Sequence, residues 1–127
     1  MHIILCSGSP SIKHIVCDSF GVAGRRWTMC ESGMELLAAV RTLAADIAVL
    51  DLETPGMGGP LLVSAVQELA PGLPIVAVST SASADARAVI QQGIPHVILG
   101  EDGGGELYEV ASALDARRKL ALGVGSR

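Results

Sequence analysis

Two kinds of side chain in this 127-residue chain sit where chemistry is usually done: a carboxylate and a thiol. Residues 46–59 read D-I-A-V-L-D-L-E-T-P-G-M-G-G, and Asp51 stands where the apolar run Ile47 to Leu50 stops and a Pro/Gly loop begins. A short apolar run bounded by turn signals reads as a buried strand. A carboxylate at its carboxyl end lies on the rim of an open α/β sheet, where ligands bind. Glu53 follows two residues later, either as a replacement metal ligand or as a solvated acid at the crevice mouth. Ser79 ends another apolar run, P-I-V-A-V-S, as a rim hydroxyl or as a strand-ending group bonded to nearby backbone. Cys6 precedes S-G-S-P-S, just ahead of a helix start, and a helix amino terminus lowers a thiol's pKa and accepts phosphate. The plain alternatives are that Asp51 caps its turn and that Cys6, Cys17 and Cys30 are small buried hydrophobes, since they match no metal or C-x-x-C spacing. His2, His14 and His96 have no partner at metal spacing, and surface or rim positions are their default.

The elements that must position these groups alternate strictly. Strand one is Ile3 to Cys6; Ser9-Pro10 then caps a helix carrying Ile12, Ile15, Val16 and Phe20, closed by Gly21 and Gly24. Strand two, Arg26 to Cys30, alternates as an edge strand does, with Trp27 as a packing residue. Ser32-x-x-Glu35 is a capping box for a helix whose Leu36, Leu37, Val40 and Leu43 share one side. After strand three, a helix from Gly59-Pro60 turns Leu62, Val66 and Leu69 inward and stops at Pro71-Gly72. Strand four runs from Pro74 to Ser79. The fourth helix spans about Ala82 to Gln92 with Val89 and Ile90 as anchors and Gly93 at its C-cap. Strand five is His96 to Leu99. A loop E-D-G-G-G precedes a last helix, Glu106 to Leu120, with Leu107, Val110 and Leu114 on its apolar stripe. Strand–helix alternation with short connections implies right-handed crossovers and a parallel sheet covered on both faces. The expected fold is flavodoxin-like, doubly wound, with strand order 2-1-3-4-5. Residues 1–121 form the domain and 122–127 a frayed tail.

Composition narrows the function classes. Half the residues are hydrophobic but only 2% are aromatic, so the core is built from Ala, Val, Leu and Ile. Mean hydropathy is +0.49, yet no apolar run approaches the ~18 residues of a membrane helix. With no basic-then-apolar leader, the expectation is a cytoplasmic protein. Net charge is −4 with pI about 5.2, and the basic residues are scattered, which argues against nucleic-acid binding. The run Arg117, Arg118 and Lys119 complements the negative pole of the last helix. Gly103 to Gly105 lack the motif that surrounds a phosphate-cradling nest.

In this strand order Ser7 and Gly8, Asp51, Ser79 and Gly100 reach one crevice, and here the chain resembles the receiver domain of two-component response regulators. The resemblance covers nearly the whole length. D-L-E-T-P-G-M-G-G looks like the phosphoacceptor segment, with Pro55 four and Gly59 eight residues after Asp51; P-I-V-A-V-S-T-S-A looks like the fourth strand ending in a hydroxyl. The resemblance implies that Asp51 holds the phosphoacceptor position, a nucleophile toward phosphohistidine, and Ser79 the switch hydroxyl. It also implies Mg²⁺ held by an acidic pair after strand one, and a strand-five lysine on the phosphoryl oxygens. Those positions hold Ser7 and Gly8 for the pair, and Gly100 and Glu101 for Lys-Pro, with Val97 at the aromatic switch. Asp51 and Glu53 are then the only metal ligands in prospect, Mg²⁺ is expected only if the site works, and Glu101 and Asp102 add repulsion. The expectation is a degenerate receiver, not an enzyme, whose phosphotransfer is severely impaired or absent and whose output is contact with a protein partner, a sensor kinase or an output protein. The face of the fourth helix, fifth strand and fifth helix offers Val89, Ile90 and Val97, so a homodimer through it stays open. With no room for an output domain, the chain is a stand-alone regulator or a piece of a longer one. The alternative is a phosphotransfer protein using Cys6, whose loop is similar to the phosphocysteine loop of sugar-phosphotransferase IIB enzymes; the phosphatase variant is set aside because Ile12 stands where an arginine is required.

Overall fold

In the computed structural model, which describes residues 1–21, 24–56, 58–100 and 105–122, five parallel strands form one sheet of order β2-β1-β3-β4-β5. The strands are β1 (His2–Cys6), β2 (Arg26–Cys30), β3 (Ile47–Asp51), β4 (Ile75–Ser79) and β5 (His96–Ile98). The helices are α1 (Pro10–Phe20), α2 (Gly33–Thr42), α3 (Gly59–Leu69), α4 (Ala84–Gln91) and α5 (Gly105–Ala121). β1, β3 and β4 are buried end to end and central, as continuous apolar runs require. Register places Cys6 opposite Cys30 and Leu50, and Asp51 opposite Val78, so the functional strand ends reach nearly the same height.

Alternation along each strand divides the core in two. Ile4, Cys6, Ala48, Leu50, Ile75 and Ala77 face α2, α3 and α4. Ile3, Leu5, Ile47, Val49, Val76, Val78 and Val97 face α1 and α5. Phe20 closes the second cluster, meeting Trp27 edge-on at 5.6 Å and Tyr108 at 5.9 Å. Among the described residues, no helix is long and apolar enough to cross a membrane.

The helix starts follow the capping chemistry. Ser9, Ser32 and Ser83 each cap a helix, accepting from Ile12 N–H, Glu35 N–H and Ala86 N–H. Glu35 departs from a strict capping box: its Oε2 accepts from Glu31 N–H at 2.6 Å, one residue before the cap. Gly59 opens α3 close to α4: a Cβ there would lie 3.4 Å from Leu52 Cδ2 and 3.5 Å from Asp85 Oδ2, ordinary contacts that a small side chain could make. Gly93 has φ of 87°, which explains a glycine after α4.

Three expected anchors face solvent instead, and one helix starts late. Leu43 caps α2 in extended backbone, Leu69 ends α3, Ile90 points away from Val89, and α4 begins two residues later than its apolar pattern suggested. On α5 the fully buried positions are Leu107, Ala111 and Asp115, while Val110 and Leu114 only flank the cluster. Arg118, in the last turn of α5, also reaches beyond its own helix: its Nη1 donates to Ala45 O at 2.9 Å and so ties α5 to the entry of β3. The expected tail lies, from 123 onward, outside the described residues, as do Glu101 to Gly104.

Candidate functional site

Asp51 is 1% exposed at the carboxyl end of β3. Its Oδ2 accepts from Ser7 Oγ at 2.7 Å and from Thr54 Oγ1 at 3.2 Å; its Oδ1 accepts from Glu53 N–H at 2.9 Å. The two hydroxyls are themselves fed by backbone. Ser9 N–H donates to Ser7 Oγ at 3.0 Å and Gly8 N–H donates to Thr54 Oγ1 at 3.1 Å. Two amide–hydroxyl chains, one from each side of the crevice, therefore end on the same carboxylate oxygen. Hydroxyls held this way are oriented before any ligand arrives, and each aligned bond polarises the next.

Ser7 thus joins Asp51, as the strand order requires, but as a neutral donor. Gly8 contributes only its amide. Thr54 carried no signal in the sequence beyond its place in the loop; a hydroxyl three residues after a strand-end Asp, able to bond back across the turn, was the available clue.

Ser79, also 1% exposed, is not brought to Asp51. Its Oγ lies 2.6 Å from Ser81 O and 2.6 Å from His96 Nε2. A carbonyl only accepts, so the single hydroxyl proton goes to Ser81 and His96 Nε2–H donates to Ser79. Burial lowers the His96 pKa, consistent with a neutral ring in that tautomer. His96, given no role by its spacing, is therefore the residue that meets the rim hydroxyl. Side-chain alternation explains it: His96 shares a sheet face with Ala77 and Ser79, whereas Val97 packs in the α1–α5 cluster.

Glu53 bridges the two halves of the rim. Its Oε1 accepts from Thr80 N–H at 2.9 Å and from Thr80 Oγ1 at 2.6 Å, so its carboxylate is directed at the β4 end rather than at Asp51. Gly100 is exposed after β5; Glu101 and Asp102 lie outside the described residues.

A divalent magnesium ion needs near-octahedral oxygen coordination with carboxylates in reach. The residues present do not fit one. Asp51 has three hydrogen-bond donors around it, Glu53 faces away, and Ser7 and Gly8 supply no charge. Among the described residues no three His, Cys, Asp or Glu side chains gather as a ligand set.

Cys6 lies inside β1, fully buried, with its thiol donating to Ser32 O at 3.3 Å. Burial first, then the neighbouring Cys30, Glu35 and Asp51, push its pKa up to about 12. The register buries the residue one step below the helix amino terminus that would have lowered it. His14 is exposed on α1, and His2 Nε2 lies 2.7 Å from Thr28 Oγ1 at the opposite end of the sheet.

A family model described as the response regulator receiver domain matches residues 3–111. The DNA-binding transcriptional regulator NtrC of Salmonella typhimurium is 31% identical over 84 residues, covering 65% of this chain and 18% of that protein. The chain thus spans less than a fifth of that relative's length. A CheY-like receiver domain protein from Methanospirillum hungatei superposes with a TM-score of 0.81 at 18% identity, covering 94% of this chain and 97% of the other. NtrX from Brucella abortus superposes at 0.82 and 22% identity, covering 97% and 29% respectively. At these identities the superpositions carry the fold alone.

Proposed function

The chain belongs to the response regulator receiver domain family of two-component signalling, and from that premise we propose that it is a degenerate receiver working through protein contact. Asp51 occupies the phosphoacceptor position and Ser79 the switch-hydroxyl position. The observation that carries the reading is the state of the Asp51 carboxylate: 1% exposed and held by Ser7, Thr54 and the Glu53 amide. Attack on a phosphoryl group needs a free lone pair in line with the leaving oxygen. Here Oδ2 has both lone pairs engaged by the Ser7 and Thr54 hydroxyls, and Oδ1 keeps one free beside the Glu53 amide, so attack is confined to a single oxygen in a carboxylate that is 1% exposed. The incoming phosphoryl would then meet a charge that no metal or lysine offsets, since Ser7, Gly8 and Gly100 hold those positions.

The working output is then a protein partner, a sensor histidine kinase or an output protein, with the receiver unit ending with α5 at Ala121. The face of α4, β5 and α5 supports contact of that kind through Ile90 and Ile98, 53% and 50% exposed; Val89 and Val97, expected there, are buried in the core instead. Self-association through the same face is the homodimer form of the proposal. Phosphotransfer through Cys6 finds no support in a fully buried thiol whose pKa is raised to about 12, since the thiolate is the nucleophile.

The test is incubation with acetyl phosphate and Mg²⁺ followed by intact mass. The expected result is an unchanged mass. Rapid acid-labile addition of one phosphoryl, lost in Asp51→Asn, would overturn the proposal. Addition lost instead in Cys6→Ser would establish the thiol route.

A further inference from the structure

We infer that Glu53 is a built-in acceptor that holds the β4–α4 connection where a phosphoryl group would otherwise hold it. The inference rests on the reading that Asp51 is not phosphorylated, and it names how such a receiver is set. Thr80 follows the switch-position Ser79 directly, and its two donors, the amide and the hydroxyl, converge on one oxygen of Glu53. An anionic oxygen offered from the β3 side to donors at the end of β4 is the kind of acceptor a phosphorylated aspartate would present. Here the oxygen belongs to a side chain two residues further on.

The clamp is anchored at both ends. The backbone amide of Glu53 is fixed by Asp51 Oδ1 at 2.9 Å, so Asp51 is a positioning residue for the side chain that reaches across. On the far side, Ser79 binds Ser81 O and receives from His96 Nε2–H, while Ser83 caps α4 through Ala86 N–H at 3.0 Å. Every residue from Ser79 to Ser83 except Ala82 thus has a side-chain or carbonyl role in the hydrogen bonds along this connection. Those bonds end on α4 and β5, the elements that present Ile90 and Ile98. A receiver clamped this way shows that face without a covalent signal.

The experiment is amide hydrogen exchange with ring-proton NMR on the full chain, with no phosphodonor and no Mg²⁺. In Glu53→Ala, Thr80 amide exchange is expected to rise by about tenfold or more, as a local opening requires, and the His96 ring signals are expected to shift. Amides of α1 and α2 should keep their protection, which shows the fold intact. Glu53→Gln retains an acceptor oxygen and should keep most of the Thr80 protection. Wild-type exchange and ring shifts in Glu53→Ala, or a Gln variant as open as the Ala variant, would overturn the clamp alone. Phosphorylation of Asp51 in the mass experiment would instead remove its premise, so the two failures are separable.

Discussion

The two ends of the sheet treat their acids differently. At the amino end, Asp46 and Asp115 have cations for neighbours: Arg118 Nη1 stands 3.9 Å from Asp46 Oδ1, and Lys119 Nζ lies 2.9 Å from Asp115 Oδ2. At the carboxyl end, the hydrogen-bond partners of Asp51 are all neutral, two hydroxyls and an amide. Long cationic side chains satisfy charge but hold geometry loosely, and half-exposed ones contribute little. Short hydroxyls fed by backbone amides hold geometry firmly and leave the charge uncompensated. On the proposed degenerate reading, the rim is held by shape and its uncompensated charge disfavours an incoming anion.

The sharpest way to break this contrast is to return charge to the rim. In Ser7→Asp/Gly8→Asp, a Cβ at position 8 would sit 3.4 Å from Thr54 Cγ2, an ordinary contact, so the pair can be built. Without metal the double variant should be less stable than the parent, because three carboxylates then share one site. With Mg²⁺ at a hundredfold over its Kd it should gain about 2.7 kcal/mol, read as a Mg²⁺-dependent urea midpoint; the parent's midpoint should not respond.

Removing one rim donor comes next. Ser7→Ala leaves Asp51 buried with a bond missing and should cost about 2 kcal/mol in urea unfolding. A change within error would mean that the hydroxyl chain contributes nothing to holding the acid.

The amino end should respond in the opposite direction. Asp115 is 6% exposed and its Oδ1 has no hydrogen-bond partner, beside a cavity of about 240 Å³ lined by Asp46, Arg118 and Lys119. Asp115→Leu extends the stripe of Leu107 and Ala111 and should raise stability by about 1 kcal/mol, since apolar replacements of poorly satisfied buried charges are often stabilising. Loss of stability would show the Lys119 pair to be essential.

The smallest effect concerns pH. Burial lowers the His96 pKa from 6.5, so between that value and the lowered one the unfolded chain binds a proton that the folded chain does not. Stability should therefore fall as pH drops through that window and level off once the folded ring is protonated. His96→Gln keeps an N–H for Ser79 and should flatten that part of the pH–stability curve.

Much of the architecture was legible because it rests on local rules. Ser9-Pro10, Ser32 and Gly93 punctuate helices by capping chemistry that acts over a few residues. The apolar runs ending in Cys6, Asp51 and Ser79 identify central strands without reference to what lies beside them. Helix faces were less legible. Leu69 and Ile90 satisfy a helical repeat, yet each sits in the last turn of a short helix and is exposed. On α5 the buried stripe runs through Ala111 and Asp115, which no hydrophobicity pattern would select.

Sequence alone determined the alternation of strands and helices, the seat of Asp51 at a strand end, and the absence of acids at positions 7 and 8, because periodicity and residue identity are properties of the chain itself; the strand order, expected as the common one for such a fold, came from the structure. Only the tertiary structure decided that Thr54 and Ser7 close on Asp51, that Ser79 turns to His96, and that Glu53 reaches Thr80. The physical reason is the range of the interaction. A hydrogen bond chooses its partner within about 3 Å, and residues 44 apart in the chain, such as Ser7 and Asp51, come that close only after parallel strands have been set side by side.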